Sequence, residues 1–508
     1  MPLMYCHAKL KNISQHTVIS AHLFLPDYSP MNRDSFYPAI ACFPLLLMLA
    51  GCAPMHETRQ ALSQQTPAVQ VDTALPTALK NGWPDSQWWL EYHDNQLTSL
   101  INNALQNAPD MQVAEQRIQL AEAQAKAVAT QDGPQLDFSA DMERQKMSAE
   151  GLMGPFALND PAAGATGPWY TNGTFGLTAG WHLDIWGKNR AEVTARLGTV
   201  KARAAEREQT RQLLAGSVAR LYWEWQTQAA LNTVLQQIEK EQNTIIATDR
   251  QLYQNGITSS VEGVETDINA SKTRQQLNDV AGKMKIIEAR LSALTNHQTK
   301  ALKLNPVALP KVASQLPDEL GYSLLARRAD LQAAHWYVES SLSTIDAAKA
   351  AFYPDINLMA FLQQDALHLS DLFRHSAQQM GVTAGLTLPI FDSGRLNANL
   401  DIAKAESNLS IASYNKAVVE AVNDVARAAS QVQTLAEKNQ HQAQIERDAL
   451  RVVGLAQARF NAGIIAGSRV SEARIPALRE RANGLLLQGQ WLDASIQLTG
   501  ALGGGYKR

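Results

Sequence analysis

The sequence predicts a mainly α-helical fold that also contains membrane β-strands. Three observations lead to this fold class. The chain carries a lipoprotein-type export signal, a unit of strands and helices occurs twice, and residues 169–305 and 390–475 contain no proline. Strands of about ten residues can cross a bilayer, whereas helices as long as those two stretches allow cannot be buried within one compact domain.

An export signal is expected at residues 31–51. Arg33 precedes the apolar run FPLLLMLA at residues 43–50, and this run leads into Leu-Ala-Gly-Cys, which ends at Cys52. A charged start, a short apolar core and small residues before a cleavage site are typical of secretory signals. The apolar run is too short to span a membrane. Residues 1–30 fit no signal pattern, and we expect them to be a start-site extension.

The cysteines identify the residue that carries lipid. Cys6 lies in the suspected extension and Cys42 in the signal core, so Cys52 alone remains after maturation and cannot form an internal disulfide. The four residues that end at Cys52 resemble the bacterial lipobox; an ordinary signal peptide with an incidental cysteine is the alternative. We expect a diacylglycerol and an N-acyl chain on Cys52, which suffice for stable anchoring, and no other cofactor. Residues 52–92 then form a lipid-anchored N-terminal segment, and Ala53, by resemblance to other lipoproteins, implies sorting to the outer membrane.

Composition and motifs exclude several classes of protein. The formal net charge of −3 and the pI near 6.4 argue against a nucleic-acid partner. A mean hydropathy of −0.23 is too polar for a multi-helix inner-membrane protein. The sequence contains no nucleophile elbow, no His-Glu-x-x-His, no phosphate loop and no cysteine pair for a metal. We therefore expect neither an enzyme nor a metal site.

Internal matches indicate a duplicated unit. The matching segments follow the same order in both halves, and they are Asp110–Ala114 with Asp330–Ala334, Pro134–Phe138 with Pro354–Leu358, Gly176–Arg190 with Gly381–Arg395, and Tyr253–Ile257 with Phe460–Ile464. The proline-punctuated residues 305–320 form the expected linker. Repeat 1 is placed at 93–304 and repeat 2 at 321–502, with a C-terminal tail at 503–508.

Each repeat is expected to begin its membrane part with two strands. In repeat 1 they are Pro134–Gln145 and Asn172–Ile185, and in repeat 2 the alternation covers Ile356–Leu362 and Val382–Ile390. A soluble antiparallel sheet shows the same alternation, but the lipobox and the long helices favour membrane strands. Aromatic residues near the strand ends are typical of interfacial girdles, and they are Trp169, Tyr170, Trp181 and Trp186.

Long helices follow the strands. If it is continuous, the segment 187–252 spans about 100 Å at 1.5 Å per residue. Apolar residues spaced by threes and fours predict a coiled-coil seam, and they are Leu214, Val218, Leu221, Trp225, Leu235 and Ile238 in repeat 1 and Leu409, Val418, Val422, Val425, Val432 and Leu435 in repeat 2. Gly256 and Gly463 mark the points where each helix pair turns back.

Both repeats switch abruptly from strand to helix. The expected junction residues are Trp186 and Gly187 in repeat 1 and Phe391, Asp392, Gly394 and Arg395 in repeat 2. Pro389 suits a strand end because it cannot donate to a ladder. Asp392 and Ser393 are residue types that cap helices.

Six motifs in a fixed order carry a family resemblance, and they are WPDSQWWLEYHDNQLTSLI, LDIWGKNR, LLARRADLQAA, LPIFDSGRLNA, the two glycine turns and the terminal ALGGGY. Over residues 83–506 the chain resembles the TolC-like outer-membrane efflux proteins, in their lipid-anchored branch associated with RND-type pumps. Two positions depart from the family pattern: Ala329 stands where proline is frequent, and His182, expected on the inward face of the barrel, stands where an acidic residue is frequent.

The resemblance implies a homotrimer in the cell outer membrane that extends into the periplasm. Its 12-stranded β-barrel takes four strands from each chain and continues as a long α-helical coiled-coil barrel with a small equatorial domain. Four strands alone cannot close a membrane barrel, which agrees with this assembly. The implied function is passive export of drugs or other toxic small molecules. The implied partners are a periplasmic adaptor protein, an inner-membrane RND-type pump and outer-membrane lipid.

The resemblance also implies functional residues at the periplasmic tip. The candidate gate residues are Arg469, Glu472 and Glu265, since rings of charge at a narrow mouth control access. The candidate adaptor-docking turns contain Tyr253, Gly256, Phe460 and Gly463. The alternatives are a solvated charged turn for the first group and a purely structural turn for the second.

Two other functions compete with the channel. A periplasmic lipoprotein adaptor or scaffold with coiled-coil hairpins is expected to hold one hairpin flanked by lipoyl-like strands, whereas this chain has two repeats, each with a strand pair. An anchored enzyme requires a catalytic constellation, which the sequence lacks.

Overall fold

The computed structural model describes residues 55, 62–64, 83–146, 169–257, 259–296, 302–311, 324 and 326–507. The export signal, Cys52 and residues 312–320 of the expected linker lie outside the described residues.

From the helix that precedes the strands onward, the described elements follow the same order in both repeats. A short 3-10 helix, Trp88–Tyr92, precedes repeat 1, whose elements are α1 (Asn95–Asn107), α2 (Pro109–Ala129), β1 (Gln135–Lys146), β2 (Trp169–Leu183), α3 (Lys188–Gln254) and α4 (Ser260–Leu294). Repeat 2 comprises α5 (Ala329–Ala350), β3 (Asp355–Ala366), β4 (Gln378–Thr387), α6 (Arg395–Asn461) and α7 (Gly467–Ala501). The predicted combination of four strands with long helices is confirmed.

The helix lengths repeat without change. α3 and α6 have 67 residues each, and α4 and α7 have 35 each. A straight helix of 67 residues extends about 100 Å, so the predicted continuous helix is confirmed. The four strands form one antiparallel sheet in the order β1-β2-β3-β4.

Two predicted strand ends are wrong. β2 ends at Leu183 rather than Ile185, because the following residues turn into the start of α3. β4 ends at Thr387, which leaves Ile390 outside the sheet. Pro389 has no N–H to donate and its ring fixes the backbone, so the ladder stops before it.

The long helices pack side by side. α3 contacts α2, α4, α5 and α7, and α6 contacts α5 and α7. Nine of the twelve predicted seam residues are buried, and they are Leu214, Val218, Trp225, Leu235, Ile238, Val418, Val425, Val432 and Leu435. Leu409 is 68% exposed in the single chain, so its place in the seam stays a prediction. α5 packs instead against the face of α6 that carries Ser407 and Ile411, both of which are buried.

A compact core surrounds the middle of α3. The short helix Trp88–Tyr92 and α1 pack on Tyr222 and Trp223 of α3, with Ile287 of α4 and Leu492 of α7 in the same apolar cluster. This core is the small equatorial domain that the family resemblance implies.

The C-terminal tail contacts the segments that precede α1 and α5. Gly503 has φ +94, and a Cβ there would overlap the carbonyl of Arg327. Gly505 has φ +81, and a Cβ there would overlap the carbonyl of Asp85. Lys507 then pairs with the Asp85 carboxylate at 3.4 Å. Only glycine accommodates both the left-handed backbone and the close approach.

Candidate functional site

One face of the sheet is a continuous apolar band. The pairing register aligns Leu136, Ala179, Ala360 and Val382 across all four strands. Val382 is 80% exposed. The other large apolar side chains exposed on this face include Phe138, Met142, Leu177, Trp181, Leu362, Met380 and Leu386. This band has the composition of a lipid-facing surface.

The opposite face of the sheet is mainly polar, although β3 contributes Met359 and Phe361 to it. The register aligns Asp141 with Thr174 and Asp365, and the Thr174 hydroxyl donates to the Asp365 carboxylate at 3.3 Å. His182 lies on this face opposite Asn357, and its Nδ1 is 3.7 Å from Asp355. Strands that are apolar on one face and polar on the other are suited to a wall between lipid and water.

The two outer strands of the sheet are open on one side. Among the described residues, β1 pairs only with β2, and β4 pairs only with β3. An unpaired strand edge within hydrocarbon leaves N–H and C=O groups without partners, at several kcal/mol for each group. The sheet therefore needs further strands before it can occupy a membrane.

Tryptophans mark the boundary between the sheet and the helices. The Trp181 indole N–H donates to the carbonyl of Asp132, and the Trp186 indole N–H donates to the carbonyl of Pro354, both at 2.8 Å. Trp186 also stacks on Tyr353 with ring centroids 5.0 Å apart. Amphipathic rings of this kind collect at membrane–water interfaces.

Aspartates cap both helices that begin at this boundary. Asp392 accepts from the backbone N–H groups of Gly394 at 3.0 Å and Leu396 at 2.9 Å. Ser393, the other predicted cap residue, adopts a left-handed backbone with φ 56 while Asp392 supplies the cap. In repeat 1, Asp184 accepts from the N–H groups of Asn189 at 3.2 Å and Arg190 at 2.9 Å.

The remaining junction residues surround these caps. Gly187 and Gly394 hold the N-cap positions of α3 and α6, with φ +75 and +85. Arg395 lies 4.0 Å from the Asp392 carboxylate. Phe391 is exposed. Asp184 was missed as a cap because its alternating position assigns it to the polar face of β2.

The far ends of the helical hairpins are two nearly identical turns. Gly256 and Gly463 have φ +69 and +70. In each turn the next isoleucine N–H donates to a carbonyl five residues earlier, Ile257 to Leu252 and Ile464 to Arg459, both at 2.9 Å. This pattern closes a helix with a left-handed glycine.

Both turns present exposed apolar side chains, and these are Tyr253, Ile257, Phe460 and Ile464. Exposed apolar groups at a hairpin end form a surface that a partner protein can cover.

The predicted gate residues lie beyond these turns. Arg469 donates to Glu472 at 2.7 Å within the first turns of α7, so the two charges pair with each other. Glu265 is exposed on α4, the other return helix. Of the three predicted gate residues, the structure therefore brings Arg469 and Glu472 into contact.

A second charged network near the same end was missed by the sequence reasoning. The Ser471 hydroxyl donates to Glu241 at 2.6 Å, and Arg474 donates to the other oxygen of Glu241 at 3.3 Å. Arg474 also donates to Gln457 at 3.1 Å. Glu241 belongs to α3, Gln457 to α6, and Ser471 and Arg474 to α7. We call these four residues the Glu241 network; it ties the second hairpin to the first.

Another ion pair joins α3 to α7 at the equator. Arg220 makes two hydrogen bonds to the Asp493 carboxylate. Both residues line a groove of about 710 Å³ between α3, α6 and α7, together with Glu224 and Lys438.

No helix in the described part of the chain has an apolar stretch suited to crossing a membrane. The described residues also include no group of His, Cys, Asp or Glu able to hold a metal ion.

Comparison with known proteins adds to this geometry. The sequence profile of a family described as outer membrane efflux protein matches residues 100–297 and 320–504. The multidrug resistance outer membrane protein MdtQ of Escherichia coli O157:H7 is 98% identical over 478 residues, which cover 94% of this chain and 100% of that protein.

Two solved structures share the fold. The outer membrane protein VceC from Vibrio cholerae matches with a TM-score of 0.70 and 26% identity, over 84% of this chain and 100% of that one. The CmeC outer membrane channel of Campylobacter jejuni matches with a TM-score of 0.75 and 19% identity, over 90% of this chain and 95% of that one.

Proposed function

Because the chain belongs to the outer membrane efflux protein family, we propose that it conducts drugs or other toxic small molecules passively from the periplasm to the exterior. The family resemblance stated from the sequence is confirmed. Members of this family are outer-membrane channels, and this chain is a channel protein rather than an enzyme. Drugs are proposed as substrates because the relative MdtQ is named a multidrug resistance outer membrane protein.

The observation that carries this function is the form of the sheet. It is apolar on one face, polar on the other, and open at both edges, and helices about 100 Å long continue from it. Three chains give twelve strands and remove every open edge, which satisfies the backbone in lipid. A homotrimeric barrel that continues as a helical tunnel is therefore part of the proposal.

A lipid anchor on Cys52 is a second part of the proposal. It is supported by the lipobox and by the loss of every other cysteine on maturation. The Cys52→Ser variant is expected to lose labelling by radioactive palmitate. Labelling that persists in this variant would show that another residue carries the lipid.

The partners of the channel are proposed to be a periplasmic adaptor protein and an inner-membrane RND-type pump. The paired turns support this, because Tyr253 and Phe460 are exposed beside Gly256 and Gly463. An adaptor that covers both turns would bury apolar surface on each repeat.

The tip also contains the groups proposed to gate the tunnel. Arg469 and Glu472 place a charge pair on α7, and Glu265 places a carboxylate on α4. The Glu241 network adds the only described charged contact between the two hairpins at this end of the chain. Its release would allow the α6–α7 hairpin to move away from α3.

Two measurements test the channel. Membrane fractionation with chemical crosslinking is expected to recover a trimer from the outer membrane, and a monomer in the inner-membrane or soluble fraction would refute the proposal. In a strain that lacks the protein, intracellular drug accumulation is expected to rise and to fall again on complementation. An adaptor would not yield discrete conductance steps in a planar bilayer, whereas the channel would.

A further inference from the structure

The groove of about 710 Å³ between α3, α6 and α7, which we call the equatorial groove, lies on the opposite side of these helices from the equatorial core. On α3, Tyr222 is buried in the core, and Gln226 donates to the carbonyl of Asn305 at 3.0 Å. Glu224 and Gln228 line the groove. Each is two residues from a residue that faces the core, which turns its side chain about 200° around the helix. α3 therefore presents one face to the core and the opposite face to the groove.

α7 has the same two faces. Gln488 donates to the carbonyls of Leu309 and Pro310 on the side of the core, whereas Gln490, two residues farther along, lines the groove. In the proposed trimer these helices form the wall of a tunnel. A copy of the core from each chain inside that tunnel would obstruct it, so the core lies outside and the equatorial groove opens into the tunnel.

Two charged side chains in the equatorial groove are not neutralised by a neighbour. Arg220 and Asp493 pair with each other. Glu224 on α3 and Lys438 on α6 line the groove and are exposed. Within the described part of the chain, neither of these two side chains takes part in an ion pair or a hydrogen bond. The groove therefore offers one carboxylate on one wall and one ammonium group on the other.

The two walls are separated by the width of α7. Asn439 of α6 donates to the carbonyl of Leu487 at 3.4 Å, and a Cβ on Gly489 would lie 2.8 Å from the Thr227 methyl carbon of α3. These two contacts place the opposite charges within about one helical turn of each other along the axis. Packed helices lie about 8–10 Å apart, so the axes of α3 and α6 are up to about 16–20 Å apart across α7. The charges thus face each other across a space the size of a small molecule.

The opposed charges do not belong to the pattern that the repeats share. α3 and α6 have equal lengths and are offset by 207 positions (188 to 395). At this offset the counterpart of Glu224 is Gln431, and the counterpart of Lys438 is Leu231. The helical hairpin therefore forms in each repeat without one of these charges, and the pair of charges is a property of this groove.

Buried polar atoms beside the groove also lack partners. Trp223 and Gln228, which line the groove, are 2% and 7% exposed. The indole N–H of Trp223 and the side-chain carbonyl oxygen of Gln228 have no hydrogen-bond partner among the described residues. A buried polar group without a partner destabilises the structure that contains it. The wall of α3 therefore holds a donor and an acceptor that a bound molecule can satisfy.

We propose that the equatorial groove is a binding site for zwitterionic small molecules on their way through the tunnel. Glu224 holds the cationic end of the molecule, and Lys438 holds the anionic end. The volume of the groove falls within the range of about 300–1,000 Å³ that is usual for ligand sites. Because the groove is open and its charges are exposed, binding is weak and reversible, as conduction requires. This inference rests on the proposed export function and names a class of substrate for it.

Equilibrium dialysis of the purified, full-length lipidated protein tests the site with norfloxacin, which carries both a carboxylate and a protonated amine near neutral pH. The wild type is expected to bind it saturably. Glu224→Gln and Lys438→Gln are each expected to weaken binding about threefold to fivefold, as the loss of an exposed charge pair does. Lys240→Gln and Glu437→Gln are the matched controls, because both residues are exposed on the same two helices and do not line the groove. Equal affinity in all five proteins would refute the site.

Two related probes test which charge binds which end. The methyl ester of norfloxacin keeps only the cation, and nalidixic acid keeps only the anion. Glu224→Gln is expected to weaken binding of the ester alone, and Lys438→Gln to weaken binding of nalidixic acid alone. Lys438→Glu is expected to bind the ester more tightly than the wild type does. If both neutral variants lose affinity equally for both probes, the assignment of the two ends is wrong.

Planar bilayer recording separates this inference from the export function on which it rests. Conductance steps that norfloxacin interrupts, with interruptions shortened in Glu224→Gln and unchanged in Lys240→Gln, support the site. Conductance steps without such interruptions, together with no saturable binding in dialysis, refute the site and leave the export function intact. A protein that gives no conductance steps refutes the export function, and the assignment of a substrate class is refuted with it.

Discussion

Replacement of Glu241 by glutamine is expected to loosen the tip of the channel. Glu241 receives hydrogen bonds from Ser471 and Arg474 and so joins α3 to α7. Its side chain is 17% exposed, and Ser471 is buried. Glutamine keeps the shape of the side chain and can still accept from Ser471, but it removes the charge.

The size of the effect follows from these contacts. A hydrogen bond to a charged group contributes about 1.5–3 kcal/mol and a neutral one about 1 kcal/mol. The Arg474 side chain is 44% exposed, so its ion pair adds at most about 0.5 kcal/mol after solvent screening. The net loss is about 1.4 kcal/mol for each chain. This shifts the equilibrium between an attached and a released α6–α7 hairpin about tenfold.

Single-channel recording in planar bilayers measures this shift as open probability. Glu239→Gln is the matched control, because Glu239 lies on the same helix and accepts from Arg274 of α4 at 3.0 Å within the first hairpin. The control is expected to leave the open probability unchanged. If Glu241→Gln behaves like the control, the network is structural and does not hold the tip.

Two further substitutions test the packing of α7 and the tail. Gly503→Ala is expected to lower the midpoint of thermal unfolding. A Cβ at this position overlaps the Arg327 carbonyl, and the left-handed backbone costs a residue other than glycine about 1–2 kcal/mol. Gly500→Ala is the control, because a Cβ on Gly500 has no neighbour within 4 Å. Burial against Gly484 raises the pKa of the Glu446 carboxyl above its ordinary 4.5. Stability is therefore lost as pH rises through the raised pKa, and Glu446→Gln is expected to raise the unfolding midpoint at pH 8 and to have no effect at pH 4. An equal effect at both pH values would contradict this.

Local patterns were sufficient to predict the elements of this fold. Alternation over Leu136–Met142, glycine at 256 and 463, and the absence of proline from residues 169–305 and 390–475 predicted the strands, the turns and the long helices. These signals depend on residues close together in the chain. The duplication supported these predictions, because each ambiguous pattern occurred a second time.

Local sequence patterns could not predict contacts between residues that are far apart in the chain. Leu409 fits the seam spacing, but α5 approaches α6 along the side of Ser407, and no local pattern shows the direction of that approach. Glu241 resembles any solvated glutamate on a helix, and its partner Arg474 is 233 residues away. The spacing of residues in the sequence therefore could not reveal the Glu241 network near the candidate gate.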